Sequence, residues 1–423
     1  MRNESPEQKN TVRAPFFSSP PEADRLIGVA VLILAAALLC YLLYNIDRSQ
    51  WDFRVYYYAA KAFLAGNNPY DLTVLREVAG RDDMYNFVYP PLTLVLFVPL
   101  TLLGFAGATV SFLLLKTVLF FCLITIWCRC FLKEKKIGGI FLLFLLFGFN
   151  AAVFEDLKVG NISIIEQILL WGGLCCYVSG KYIRFGILVS AAASFKLLPI
   201  VFLLLLLFTD YPKRYLYTVT FFMLFAAVLG STAIVQPALF QGFLANSSQV
   251  IGEGGASNPS LFTLVRIVLQ RIGETTGVRF TGRAVLIIWL PCVLVIGGTA
   301  LPAMLRLQRT GGDDSKILLI TLFCLSFSLL HPRFKDYSYI LTLFPAWILL
   351  KNYGRSTGGM LPILLLMMLP AAGSPLPGMR ALMNFYPLLL VMFLYGYVVY
   401  SIFRSGRNAG IPLSCSSGNF SET

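Results

Sequence analysis

The sequence predicts an all-α polytopic membrane protein, a bundle of about ten to twelve transmembrane or re-entrant helices with an outward interfacial helix after the first span. Three observations carry this. Of 423 residues, 57% are hydrophobic and only 13% charged, where soluble domains have about 25% charged; mean hydropathy is +0.74. Apolar stretches recur at 26–45, 91–104, 106–130, 137–154, 162–179, 185–208, 215–236, 283–305, 316–330, 337–350, 359–371 and 381–403. The basic residues fall in short loops between them, as the positive-inside rule demands of cytoplasmic loops. The net charge of +13 is thereby explained by topology, and no nucleic-acid partner is expected.

The first 25 residues are polar and rich in Pro and Ser, and are expected to form a disordered cytoplasmic tail; residues 406–423 are expected to do the same. The stretch 26–45, "LIGVAVLILAAALLCYLLYN", is longer than the roughly 7–15-residue core of a cleaved signal and has no small-residue cleavage site after it. It reads as a retained span. A transmembrane module follows over 26–350, including an outer loop at 46–90. Residues 351–405 add C-terminal spans without recognisable chemistry. Nine cysteines lie almost entirely in apolar stretches with no CxxC, so neither a disulfide framework nor a zinc site is expected. No internal repeat stands out, which gives an inverted-repeat transporter no support.

Charge orients the chain. With the N-terminus cytoplasmic and one full crossing within 91–130, the loops "RCFLKEKK", "GKYIR", "DYPKR", "RLQRTGGDDSK", "KNYGR" and "FRSGR" all face the cytoplasm. With the tails, that side holds 19 Lys and Arg against 9 acids, and the remainder 15 against 12. Two crossings there would put "KEKK" outside. Segment 91–104, opened by "YPP", is therefore expected to be re-entrant or interfacial. Segment 185–208 is interrupted by "SFKLLP", whose proline breaks a helix and whose Lys196 needs a wet or paired environment. The outward loops are then 46–90, 155–163, 237–282 and 331–339, gathered on one face.

These loops hold the polar groups. In "WDFRVYYYAAKAFLAGNNPYD", Asp52 opens a helix as N-cap or first-turn residue, where the dipole favours negative charge. Phe53, Tyr56, Ala60, Phe63 and Leu64 recur at helical spacing with Arg54, Tyr58 and Lys61 elsewhere, which reads as an amphipathic helix at the membrane surface. Capping alone would also account for Asp52. In "HPRFKDYSY" the single histidine, His331, stands with Arg333 and Lys335, three potential cations that suit a phosphate and equally an anionic lipid. Asn161, Glu166 and Gln167 put polar groups at the start of a span, facing a cavity or a neighbouring helix. Lys196 calls for a phosphate or carboxylate partner unless it snorkels to the interface. Asp82 and Asp83 could contribute to a divalent-cation site, although "GRDDMYN" reads better as a solvated turn.

The order of "YYYAAKAFLAGNNPYD", "YPPLTLVLFVPL", "VGNIS", "SFKLLPIVFLLLLL" and "HPRFKDYSY" resembles the bacterial integral-membrane glycosyltransferases of family 87, of the GT-C superfold, over about residues 26–350. The "YPPLT" and "GN" placements also look like those of eukaryotic dolichol-linked sugar transferases. The resemblance implies a GT-C-like bundle in a bacterial inner membrane. It implies a hexosyl, commonly mannosyl, or pentosyl transfer from a polyprenyl-phosphate sugar to a lipid or glycan acceptor on the outer face. Asp52 matches the family's acid after the first span and is the expected general base. His331, Arg333, Lys335 and Lys196 are expected to hold the donor phosphate, and Arg54, Tyr57, Tyr89, Asn161 and Glu166 to contact substrate. Where the family often has Gly-Gln, this chain has Gly160-Asn161. A phosphate leaving group needs positive charge more than a proton, one acid suffices for inversion, and no DxD triplet occurs, so no metal or other cofactor is expected. Two other classes stay open: a flippase for lipid-linked sugars, which needs no base, and a glycan ligase or polymerase.

Overall fold

The computed structural model describes residues 21–134, 136–250, 258–357, 360–368 and 384–404. Among these residues there is no strand. Six helices among the described residues are long and apolar enough to cross a membrane: Glu22–Tyr44, Phe105–Leu132, Gly139–Val159, Arg214–Val235, Gly282–Thr310 and Tyr386–Arg404. Shorter apolar helices, Leu92–Leu102, Ser163–Val178, Tyr182–Phe195 and Leu198–Phe208, supply the interrupted segments. The molecule is an all-α polytopic membrane protein. Both terminal tails lie largely outside the described residues.

Helix α1 (Pro21–Tyr44) begins five residues earlier than the apolar run suggests. Asp24 explains this: its carboxylate accepts from the Gly139 amide at 2.8 Å, at the N-terminus of a helix we number α6 (Gly139–Val159), where the dipole rewards a negative charge. The two helices touch at Gly28 and Gly139, where a Cβ on Gly139 would lie 2.6 Å from the Gly28 nitrogen. Gly148 to Ala151 depart from helical geometry and kink α6.

Helix α2 (Trp51–Leu64) follows α1, then α3 (Leu72–Ala79) and α4 (Leu92–Phe97). With its 3₁₀ extension Val98–Leu102, α4 is far too short for a core of about 30 Å, so the YPP segment does not cross. Helix α5 (Phe105–Ile126) runs on through a π-turn to Leu132. After α7 (Ser163–Val178), α8 (Tyr182–Phe195) ends at Lys196, whose backbone is extended, before the 3₁₀ run Leu198–Phe208. The break falls at "SFKLLP", as expected. Helices α9 (Arg214–Val235), α10 (Pro237–Val250), α11 (Leu261–Thr276) and α12 (Gly282–Thr310) lead to α13 (Gly312–Leu330), buried along most of its length, and to α14 (Ile340–Thr357).

The four loops expected on one face are bonded to one another. Gln50 Nε2 donates to the Leu157 carbonyl at 2.6 Å, Asn246 to the carbonyls of Tyr70 and Phe87, Ser260 to that of Pro332, and Tyr339 to that of Pro259. At the other end, basic loops meet: Lys133 pairs with Asp313, Lys351 with Glu134, and Lys316 donates to the Val178 carbonyl.

Two expectations need correction. Helix α2 does not lie on the membrane with one wet face. Phe53, Arg54, Val55, Tyr56, Tyr57, Ala59, Ala60 and Ala62 are all buried, because short helices form a second layer over it. Phe53 stacks on Phe112 of α5 at 4.7 Å between centroids and Tyr56 on Phe97 at 4.6 Å, pairs that contribute about 0.5–1.5 kcal/mol each. And Cys130 and Cys175 are joined as a disulfide, which the absence of CxxC spacing gave no reason to expect. Cys130 lies within the π-turn and Cys175 late in α7, 45 residues on.

Candidate functional site

The site is built on the start of α2. Gln50 takes a left-handed N-cap conformation, and its amides tie it to the end of α6, N–H to the Lys158 carbonyl at 2.8 Å. Asp52 is thereby a first-turn residue rather than the cap. Its carboxylate is half-buried and accepts from Asn161 Nδ2 at 2.6 Å. The same amide donates to the Tyr89 hydroxyl at 2.9 Å and lies 3.2 Å from that of Tyr56. Asn161 is itself pinned: its Oδ1 accepts from the Ser163 amide at 3.0 Å and hydroxyl at 2.7 Å.

Asn161 owes its place to Gly160, the left-handed residue that ends α6 at φ 72°. A Cβ there would stand 2.5 Å from Gln50 Oε1 and 2.7 Å from Phe53 Cβ. Only glycine combines that backbone with that closeness.

Cations surround the acid. Lys196 Nζ donates to Ser163 Oγ at 2.6 Å and pairs with Glu166 at 3.1 Å. Its ammonium stands 5.3 Å from the Tyr337 ring centroid. Burial raises the Asp52 carboxyl above its ordinary range, while the Asn161 hydrogen bond and the charges of Lys335, Arg333 and Lys196 work against that rise. The carboxylate is thus strengthened as a base, while these neighbours favour its ionised form. Burial, with Lys196 and Arg333, drives His331 down to about 3. His331 is therefore neutral at pH 7 and brings no cation to the cluster. Its Nδ1 accepts from the Arg333 amide at 3.0 Å, which leaves Nε2–H as a donor.

Asp52, Asn161, Tyr89, Glu166, Lys196, His331, Arg333 and Lys335 are brought together. Glu166 and Lys196, read separately as a substrate contact and a phosphate contact, satisfy each other. Arg54 and Tyr57 are not at this cluster: Arg54 is buried, pairs with Asp83 at 3.3 Å and lies over the Phe105 ring, and the Tyr57 hydroxyl donates to the Leu103 carbonyl at 2.8 Å. Gln167 accepts from Trp171. Asp83 is exposed and held by Arg81 at 2.8 Å, the solvated turn that was expected. Among the described residues no cluster of three metal-ligating side chains occurs.

Sequence reasoning missed Gln50, Ser163 and Tyr337, and above all Lys116 and Asp156, whose side chains pair at 2.7 Å with no exposure at all. Lys116 is a charge inside the apolar stretch 106–130, the signal that could have found it; Asp156, in the polar run 155–163, carried no such signal.

An apolar groove of about 340 Å³ lies between α4 and α9. Pro90, the residue after Tyr89, and Ser194, two residues before Lys196, line it together with Val95, Phe225 and Val228.

A multi-pass helical membrane protein whose loops gather Asp52, Glu166 and several cations in one place holds the groups that group-transfer chemistry uses. The sequence model of glycosyltransferase family 87 matches residues 87–332, more than half of the chain, and the chain belongs to that family; it is a membrane glycosyltransferase, with a sugar donor and an acceptor as substrates. The match holds Tyr89, Asn161, Glu166, Lys196 and His331, and it begins after Asp52, which the Asn161 hydrogen bond attaches to it. No curated protein and no solved structure matches the chain.

Proposed function

We propose that the chain moves a hexosyl, foremost mannosyl, or pentosyl residue from a polyprenyl-phosphate sugar to a hydroxyl of a lipid or glycan acceptor, with inversion at the anomeric carbon. The observation that carries this is the half-buried Asp52 carboxylate, held by Asn161 within reach of the charges of Lys196, Arg333 and Lys335. Asp52 takes the proton of the acceptor hydroxyl as its oxygen attacks the anomeric carbon; the bond from that carbon to the phosphate oxygen breaks, and the carrier phosphate leaves with the electron pair. General-base catalysis of this kind contributes about 10²–10⁴-fold.

Lys196, Arg333 and Lys335 offset the charge gathering on the phosphate, and His331 donates from Nε2. The cations supply what a phosphate leaving group needs, so the proposed reaction asks for no metal. The apolar groove lined by Pro90 and Ser194 supports the reading of a long-chain carrier, whose isoprenoid units would lie along Val95 and Phe225. The excess of Lys and Arg in the opposite loops supports an outward orientation of this face, periplasmic or extracellular if the membrane is a bacterial plasma membrane.

The test is transfer by purified wild type and Asp52→Asn in lipid, with a panel of polyprenyl-phosphate sugars and EDTA. The reading expects wild-type turnover to survive EDTA, and the variant to bind donor but lose at least about 10²-fold in kcat. Equal turnover by the variant removes the base. A translocation assay in which wild type and variant move lipid-linked sugar equally, without transfer, would favour the flippase.

A further inference from the structure

We propose that Lys116 and Asp156 are a positioning pair, which fixes the turn that holds Asn161 against Asp52. The proposal rests on the reading of Asp52 as the base. Lys116, on α5, and Asp156, on the last turn of α6, are both fully buried. An ion pair taken wholly out of water brings little net stability, and well-packed apolar replacements are often as stable or more so. A different role has to be sought.

The geometry supplies one. Lys116 Nζ lies 2.7 Å from Asp156 Oδ2 and donates to the backbone carbonyl of Asp156 at 2.6 Å. That carbonyl also accepts from the amides of Gly160 at 3.1 Å and Asn161 at 3.2 Å. The ammonium therefore grips the oxygen that closes the turn, at the negative end of the α6 dipole. From that oxygen to the base is a single residue: the Asn161 backbone N–H is held by Asp156, and its side-chain amide reaches Asp52 at 2.6 Å.

Helix α5 holds the other partner too. Phe112, one turn before Lys116, stacks on Phe53, the neighbour of Asp52 in α2. One turn of α5 thus sets the distance between the acid and the amide that orients it. Both members of the pair are also within electrostatic reach of Asp52 and Lys196.

The experiment compares wild type with Lys116→Met, Lys116→Arg and the apolar double variant Lys116→Met/Asp156→Leu, in lipid. The probe is a synthetic polyprenyl-phosphate mannose, with amide exchange of residues 157–163 and thermal unfolding followed alongside. Lys116→Met is expected to lose about 10²-fold in kcat, as a displacement of about 1 Å does, with KM unchanged and faster exchange at Gly160 and Asn161. Lys116→Arg is expected to recover most of both. The double variant is expected to unfold no earlier than wild type and still turn over slowly, which separates positioning from stability.

Wild-type exchange in Lys116→Met, or wild-type kcat in the double variant, overturns the proposal. Asp52→Asn run beside them keeps the two readings apart. If it retains full turnover, the base assignment fails and the catalytic half of this proposal with it. Amide exchange then still reports whether Lys116 holds the turn.

Discussion

Asn161 Nδ2 donates to Asp52 Oδ2 at 2.6 Å, across 109 residues of chain. The bond does two things to the proposed base. It points the carboxylate, and it opposes the rise in pKa that burial imposes.

Asn161→Ala removes the donor while leaving Asp52 buried, so the carboxyl rises further. A base works deprotonated; the acid limb of the kcat/KM profile therefore moves to higher pH. Turnover is expected to fall by roughly 10–100-fold near neutrality, and less at pH 9 than at pH 6. An unmoved acid limb would show that Asn161 does not control the Asp52 proton.

Gly160→Ala meets both a left-handed backbone and the atoms of Gln50 and Phe53. The strain costs about 1–3 kcal/mol, read as a lower Tm, and the relief available is to push α2 away from α6. Activity should fall further than stability alone explains, because the displaced element carries Asp52. Wild-type activity with wild-type Tm would contradict the close approach.

Lys196→Met strips the partner from Glu166, whose side chain is only 10% exposed. The loss is expected to be about 3 kcal/mol or somewhat less, Lys196 being partly open to solvent. Adding Glu166→Gln should restore much of the stability but none of the donor affinity that Lys196 provides. Recovery of donor binding in the double variant would count against Lys196 as a phosphate contact.

Stability should depend on pH through two groups of opposite sign. His331, ordinarily near 6.5, is held to about 3. The unfolded chain takes up that proton first, and stability is lost as pH falls from about 6.5 toward 3. Asp336 is raised from 3.8 to about 7, chiefly by burial and then by Glu155. It favours the folded state at low pH, and its contribution is lost as pH rises through about 7. The two windows overlap, so the opposing slopes largely cancel in wild type between 3.8 and 6.5; there the melting temperature should fall as pH rises in His331→Asn, where Asp336 acts alone, and fall as pH drops in Asp336→Asn, where His331 acts alone.

Much of the fold is legible along the chain. Long apolar runs specify crossings because a bilayer leaves a helix no other way to satisfy its backbone. Pro91 and the "SFKLLP" break mark the segments that do not cross, because proline removes a donor and a lysine in hydrocarbon needs company. Helical periodicity in α2 located its packed side, yet Arg54 is buried and paired with Asp83, since a period names one face and is silent on what settles over the other. The tyrosines show the same limit: Tyr89 receives the Asn161 amide, while the hydroxyl of Tyr57 is used by the Leu103 carbonyl.

The sequence by itself therefore determined the helical membrane class, the non-crossing segments and the short set of polar groups from which a site can be made. Only the tertiary structure decided that Asp52 meets Asn161, that Lys196 is shared between Ser163 and Glu166, that His331 is neutral, and that Lys116 closes the turn from beneath. Spans and breaks follow from local composition, which any short window of residues contains. Hydrogen bonds between groups 33 to 109 residues apart depend on where packed helices place their ends, and no short window contains that.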